Sequence, residues 1–267
     1  MRYFIVDAFT EQAFKGNPAA VVIVDQAISD DHMQAIAAEF NLAETAFVYE
    51  KETQKKERGN NHWALRWFTP TTEVNLCGHA TLASAYVLWN ELKQDTTTLR
   101  FDTLSGELSA DQVNGQIELD FPSIAYQNAA LEPSMLLALQ LDPIAIVKTN
   151  EDLFVEVADE SIVRHYQPDF SLITQLEQRS LVITARANNK VDFVSRMFAP
   201  KIGIPEDPVT GAIHCSLALY WAEKLGKQSL LAYQASKRGG YLSLTVKGDR
   251  VLLGGNAVCT MQGQLRV

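Results

Sequence analysis

The sequence predicts an α+β protein of two pseudo-symmetric halves. Each half is a curled, mostly antiparallel sheet (barrel-like) around one central buried helix. Three observations predict this. Short β-rich runs separated by turn signals dominate the chain. Two helical segments, "ATLASAYVLWN" and "AIHCSLALYWA", carry no charged residue, and a helix apolar on every side is enclosed by protein or by membrane. Landmarks also recur at one spacing: Gly78 and Gly211, Leu92 and Leu225, Gly106 and Gly239, and Gly115 and Gly248 are each 133 residues apart. That offset is about half of the 267 residues. A constant offset over several pairs signals an internal duplication.

The elements follow in order. "RYFIVDAF" reads as a strand, "KGNP" as a turn and "AAVVIVD" as a second strand. "SDDHMQAIAAEF" opens on a Ser-Asp cap and repeats apolar residues at Met33, Ile36, Ala37 and Phe40, a helical period. "TAFVYE" is a strand, "KETQKKERGNNH" a charged hairpin loop, and "WALRWFTP" a strand ending at Pro70. The Cys77-Gly78-His79 turn then opens a buried helix over 78–92. At ~1.5 Å per residue, each buried helix is roughly 20–24 Å long. Strands at "TLRFDT", "GELSAD" and "GQIELDFP" complete the first half.

The pattern then begins again. "IAIVKT", "DLFVEV", "LVITA" and "VDFVSRMFAP" read as strands, "GAIHCSLALYWAEKLG" as the second buried helix, and "LLAYQAS", "YLSLTV" and "RVLLGG" as strands. The strand before each helix ends in Phe-x-Pro, at Phe68–Pro70 and Phe198–Pro200. The halves are expected at 1–125 and 126–267, with the active site in the cleft between them.

Composition bounds the function. The chain is 47% hydrophobic and 21% charged, ordinary for a globular enzyme, and carries a net charge of −9 with no Lys/Arg cluster. This argues against nucleic acid and anionic membrane as partners, but leaves room for a small anion at a local site. Three cysteines without a CxxC pair fit free thiols in a reducing compartment. "MRYFIVDAFT" is not a signal peptide, and no run reaches the ~18 apolar residues that span a bilayer. A cytoplasmic protein is expected.

The helix starts are the candidate site. A helix N-terminus offers free N–H groups and a partial positive charge, so it receives an anion without a basic residue. Gly78 and Gly211 let a ligand approach the backbone, which suits a small carboxylate. Either glycine alone also fits a plain strand-to-helix turn. His79 is a cap or a functional group. Glu44, between Ala43 and Thr45, is a surface carboxylate or a buried general acid/base with a raised pKa. Asp207, before Pro208, is a turn former or a substrate contact. Cys77 is an apolar filler or the base of a thiol-type racemase. In the latter, the 133-residue offset places Thr210 opposite it, and a hydroxyl is too weak a base for the second thiol. No dinucleotide, Walker, nucleophile-elbow or HExxH motif is present. No cofactor and no metal are expected.

"DAFT…FKGNPAAVV", "NLAETAF", "RWFTPTTEVNLCGHATLASA" and "GIPEDPVTGAIHCSLALYW" together resemble the PhzF-like phenazine-biosynthesis family of the diaminopimelate epimerase-like superfamily, from residue 4 to about 255. The resemblance implies two pseudo-symmetric halves and a cofactor-free isomerase in which one glutamate moves a proton. That role falls to Glu44. His79 and Asp207 match residues that hold the substrate and assist proton movement. Gly78 and Gly211 match backbone positions near a substrate carboxylate, flanked by Cys77, Thr210 and Ala212. The family's phenazine enzyme has a serine where this chain has Ala212, so one hydroxyl contact is missing. A homodimer is implied by the resemblance alone. A thiol racemase using Cys77 and a non-catalytic binding protein are the competing readings.

Overall fold

The computed structural model describes residues 1–25, 28–50, 61–188 and 190–267. The charged hairpin expected from residue 51 lies almost wholly outside them. The chain divides into two compact units, Met1–Phe121 with Leu253–Val267, and Pro122–Leu252. The sequence placed the break near residue 125. It did not foresee that the last segment packs with the first unit.

In the first unit the elements are β1 (Arg2–Ala8), β2 (Asn17–Ile23), α1 (Asp30–Phe40), β3 (Glu44–Tyr49), β4 (His62–Phe68), β5 (Glu73–Val74), α2 (Gly78–Tyr86), β6 (Thr98–Thr103), β7 (Gly106–Val113) and β8 (Gln116–Pro122). Antiparallel pairs join β1 to β2, β3 to β4, β4 to β5, β6 to β7 and β7 to β8. Two pairs are parallel, β2 with β3 and β4 with β6. A parallel pair needs a crossover, which α1 and α2 supply.

Ser29 caps α1 by accepting from the His32 N–H, and Met33, Ile36 and Ala37 are its buried face. They pack with Val22, Phe47 and Phe68. On α2 every residue from His79 to Ala85 is buried, and the helix packs against β1, β2 and β3. Its small residues allow strands to close around it. Its buried hydroxyls are satisfied locally: Thr81 donates to the Cys77 carbonyl at 2.6 Å and Ser84 to that of Ala80 at 2.7 Å. The last turn widens, and Val87–Glu91 is a π-helix where the sequence suggested continuous α-helix to residue 92.

The second unit repeats the plan. It has β9 (Gln127–Asn128), α3 (Pro133–Leu139), β10 (Pro143–Lys148), β11 (Asp152–Val157), α4 (Glu160–His165), α5 (Phe170–Ile173), β12 (Ser180–Arg186), β13 (Phe193–Ala199), β14 (Ile204–Asp207), α6 (Gly211–Leu225), β15 (Ser229–Gln234), β16 (Gly240–Lys247) and β17 (Arg250–Gly255). Pairing again runs antiparallel for β10 with β11, β12 with β13, β13 with β14 and β15 with β16. It is parallel for β11 with β12 and β13 with β15. The last strand, β18 (Ala257–Gln264), returns to the first unit and pairs along all of β1.

The registers match residue by residue. Thr45 faces Phe68, and Leu181 faces Phe198; Ala19 faces Glu44, and Asp152 faces Ser180. A brace before each helix is repeated as well. Arg66 grips Glu73 through Nε and Nη2 at 2.7 and 2.8 Å and lies over the Phe68 ring. Arg196 grips Glu206 at 2.7 and 3.0 Å and lies over Phe198. A two-pronged guanidinium–carboxylate bond fixes direction as well as distance, so it aims the chain that runs into each buried helix.

Candidate active site

The start of α2 gathers three reactive side chains. Glu44 opens β3, Cys77 is the N-cap residue of α2, and His79 lies in its first turn. Their donor atoms lie within 4.8 Å of one another. Glu44 Oε2 is 3.2 Å from His79 Nε2, with side-chain exposures of only 15% and 7%. On the other side of the ring, Nδ1 lies 3.4 Å from the Asn17 amide nitrogen and 3.5 Å from Cys77 Sγ. Burial holds His79 down to about 4, so the imidazole is neutral at pH 7. A neutral imidazole donates from one nitrogen and accepts at the other.

The Cys77 side chain makes no capping hydrogen bond to α2, so the N–H groups of its first turn are not taken up by a cap side chain. The same holds for Thr210 at α6. The Thr210 hydroxyl turns instead to Asp207 Oδ2. Gln234, fully buried, ties the turn together: its carbonyl oxygen accepts from the Thr210 N–H at 2.8 Å and its amide donates to the Asp207 carbonyl at 2.8 Å. Gly211 is buried behind this turn and Ala212 follows, half-buried. His214 reaches back to the Thr210 carbonyl with Nδ1 at 2.7 Å, as Thr81 does to Cys77. Burial brings His214 to about 4, against a smaller upward pull from that bond.

The paired registers and the 133-residue helix offset set each candidate residue against its counterpart. Glu44 corresponds to Ser180, Cys77 to Thr210 and His79 to Ala212. Ser180 donates to Asp152 at 2.7 Å. The second unit therefore has no carboxylate, thiol or imidazole at these three mirrored positions.

The family of phenazine biosynthesis-like proteins matches residues 6–263. The chain belongs to this PhzF-type family. An uncharacterized isomerase of Halalkalibacterium halodurans is 44% identical over 98% of this chain and 97% of its own length. An Enterococcus faecalis structure of the PhzF family superposes with a TM-score of 0.93 at 41% identity, covering 100% and 99% of the two chains. A hydroxyproline epimerase of Agrobacterium vitis shares the fold at TM-score 0.59 and 11% identity, over 98% and 91%. This PhzF-type protein is an enzyme of the isomerase class.

Of the residues singled out in the sequence, the structure brings Glu44, Cys77, Gly78 and His79 together in the first unit, and Asp207, Thr210, Gly211 and Ala212 in the second. Sequence reasoning missed Asn17, Gln234 and the two Arg–Glu braces. Asn17 stood in the "KGNP" turn signal, and the braces were visible as Arg66 and Arg196 two positions before each Phe-x-Pro. Gln234 carried no signal at all.

Two groups among the described residues have donor atoms close enough to share a metal ion, Glu44–Cys77–His79 and His62–Asp102–Glu107. In the second, His62 Nε2 bonds Asp102 at 2.9 Å, and Glu107 pairs with Arg100 at 2.8 Å. No helix is long and apolar enough to cross a membrane among the described residues.

Proposed function

We propose a cofactor-independent isomerase that moves a proton on a small carboxylic acid through one base, Glu44. Glu44 removes a proton from a carbon near the carboxylate and returns it at another carbon. His79, 3.2 Å from the glutamate, helps to orient the substrate. The starts of α2 and α6, at Gly78 and Gly211, receive carboxylate or enolate charge. Asp207, with Thr210 and Ala212 beside it, holds the substrate, and Cys77 contributes to binding.

The observation that carries this reading is the buried contact between Glu44 and a neutral His79 at a helix start. The mirrored Ser180, Thr210 and Ala212 weigh in the same direction. A two-base racemase needs a second proton acceptor, and neither a serine held by Asp152 nor a threonine is basic enough. The missing serine hydroxyl at Ala212 favours an acid other than the phenazine substrate. The free Cys77, Cys215 and Cys259 suit a reducing cytoplasm, and the family resemblance extends the reading to a homodimer.

The test is deuterium incorporation from D₂O into a panel of small cyclic and α-amino carboxylic acids, followed by NMR. Wild type is expected to exchange and Glu44→Gln to lose at least ~100-fold, since general acid–base catalysis contributes ~10²–10⁴. Exchange that survives in Glu44→Gln but disappears on alkylation of Cys77 moves the chemistry to the thiol. Ligand-induced thermal stabilisation without exchange points to a binding protein.

A further inference from the structure

We infer that Asn17 is a positioning residue: its side-chain amide fixes the His79 imidazole as the Nε2–H tautomer, so the ring turns its N–H side toward the Glu44 carboxylate. This rests on the reading of Glu44 as the base. Asn17 is fully buried at the start of β2. It lies two positions before Ala19, the register partner of Glu44, and residues two apart in a strand share a face. Gly16 brings it there. At φ +64° this glycine packs so closely that a Cβ would sit 2.1 Å from the Ala8 carbonyl oxygen.

The two ring nitrogens meet opposite chemistry. Nε2 faces a carboxylate oxygen at 3.2 Å, which when ionised only accepts. Nδ1 faces an amide nitrogen at 3.4 Å and a thiol at 3.5 Å, both of which can donate. Nε2 is buried without a hydrogen-bond partner, so the tautomer is set by the donors at Nδ1 and by the carboxylate charge beside Nε2, and both favour Nε2–H. The other tautomer would set the Nε2 lone pair against the Glu44 charge and a ring N–H against the Asn17 amide hydrogens. The thiol is the weaker donor of the two, so the amide decides the matter. Turning the Asn17 amide over would demand the wrong tautomer, so the same charge that selects the ring proton also selects the amide orientation.

The test is long-range ¹H–¹⁵N NMR of the whole chain labelled at histidine, with the His79 signals assigned by their loss in His79→Gln. Wild type at neutral pH is expected to show a pyrrole-type Nε2 and a pyridine-type Nδ1. In Asn17→Asp the new carboxylate calls for a proton at Nδ1, which should become pyrrole-type. A wild type protonated at Nδ1, or Asn17→Asp with Nδ1 still pyridine-type, overturns the assignment. Should the buried aspartate prevent folding, Glu44→Gln is compared with the Asn17→Leu/Glu44→Gln double variant. A glutamine can donate or accept, so Asn17 alone should keep the single variant as pure Nε2–H, and the double variant should show a tautomer mixture. Identical spectra overturn the proposal. No substrate enters these spectra, so an error about the base shows separately, as deuterium exchange that survives in Glu44→Gln.

Discussion

His214 and Thr81 occupy the same place in two related helix starts and make the same bond with different chemistry. Each reaches back to the carbonyl of its cap residue. The imidazole also meets Ser195 at 3.4 Å and stacks on Phe193, and it carries a cost the hydroxyl does not. Its proton affinity falls to about 4 in the folded chain against ~6.5 unfolded. The unfolded state therefore binds the proton first as pH falls. Stability from this group is full above ~6.5 and is lost between there and ~4, about 2 kcal/mol of it by pH 5. Urea titrations of His214→Gln should show a shallower fall from pH 7.5 to 5 than wild type; an equally steep fall would refute the linkage. Gly16 is a second residue with a sharp prediction. Gly16→Ala combines a left-handed backbone with a clash against the Ala8 carbonyl, and should cost ~2 kcal/mol or more in the same titration. The "KGNP" turn was legible as a turn. The close approach that makes glycine obligatory was not, because the strand it meets is set by tertiary pairing.

The elements that position the candidate residues are the two Arg–Glu braces and the helices that follow them. Arg196 is the more deeply committed brace. Besides Glu206 it donates to the carbonyls of Val163 and Tyr166 at 3.2 and 2.8 Å, so it also pins the end of α4. Arg66 instead shares its charge with Asp30, whose side chain is 72% exposed. Breaking a buried pair strands the partner charge, at ~3–5 kcal/mol. Arg196→Ala should lose that much in calorimetry, and Arg66→Ala clearly less; equal losses would show that the additional carbonyl contacts contribute nothing. The two buried helices were legible because a helix without charge has few places to go. The short α3, α4 and α5 were not, since helices of four to seven residues are too brief to establish a period.

At the scale of the molecule, the duplication was visible in spaced glycines, and its registers now extend to matched strand pairs, braces and helix starts. The return of β18 to β1 was invisible. "AVCTMQGQ" has neither alternation nor many β-formers, so its strand character comes from the partner that β1 offers rather than from local preference. Removing residues 256–267 should therefore unsettle the first unit: β1 becomes an uncovered edge, and α2 loses a strand that packs on it. Calorimetry of the truncated chain should show loss or strong weakening of the first unit's transition, and an unchanged profile would show β18 to be dispensable. The sequence by itself determined the fold class, the two-fold repeat, the buried helices and the residue types of the candidate site, because each is written in period, spacing or motif. Only the tertiary structure decided that Glu44 meets His79, that Asn17 stands at the other ring nitrogen and that Ser180 answers Glu44. Those contacts join residues far apart in the chain, and sheet register alone sets which side chains share a face.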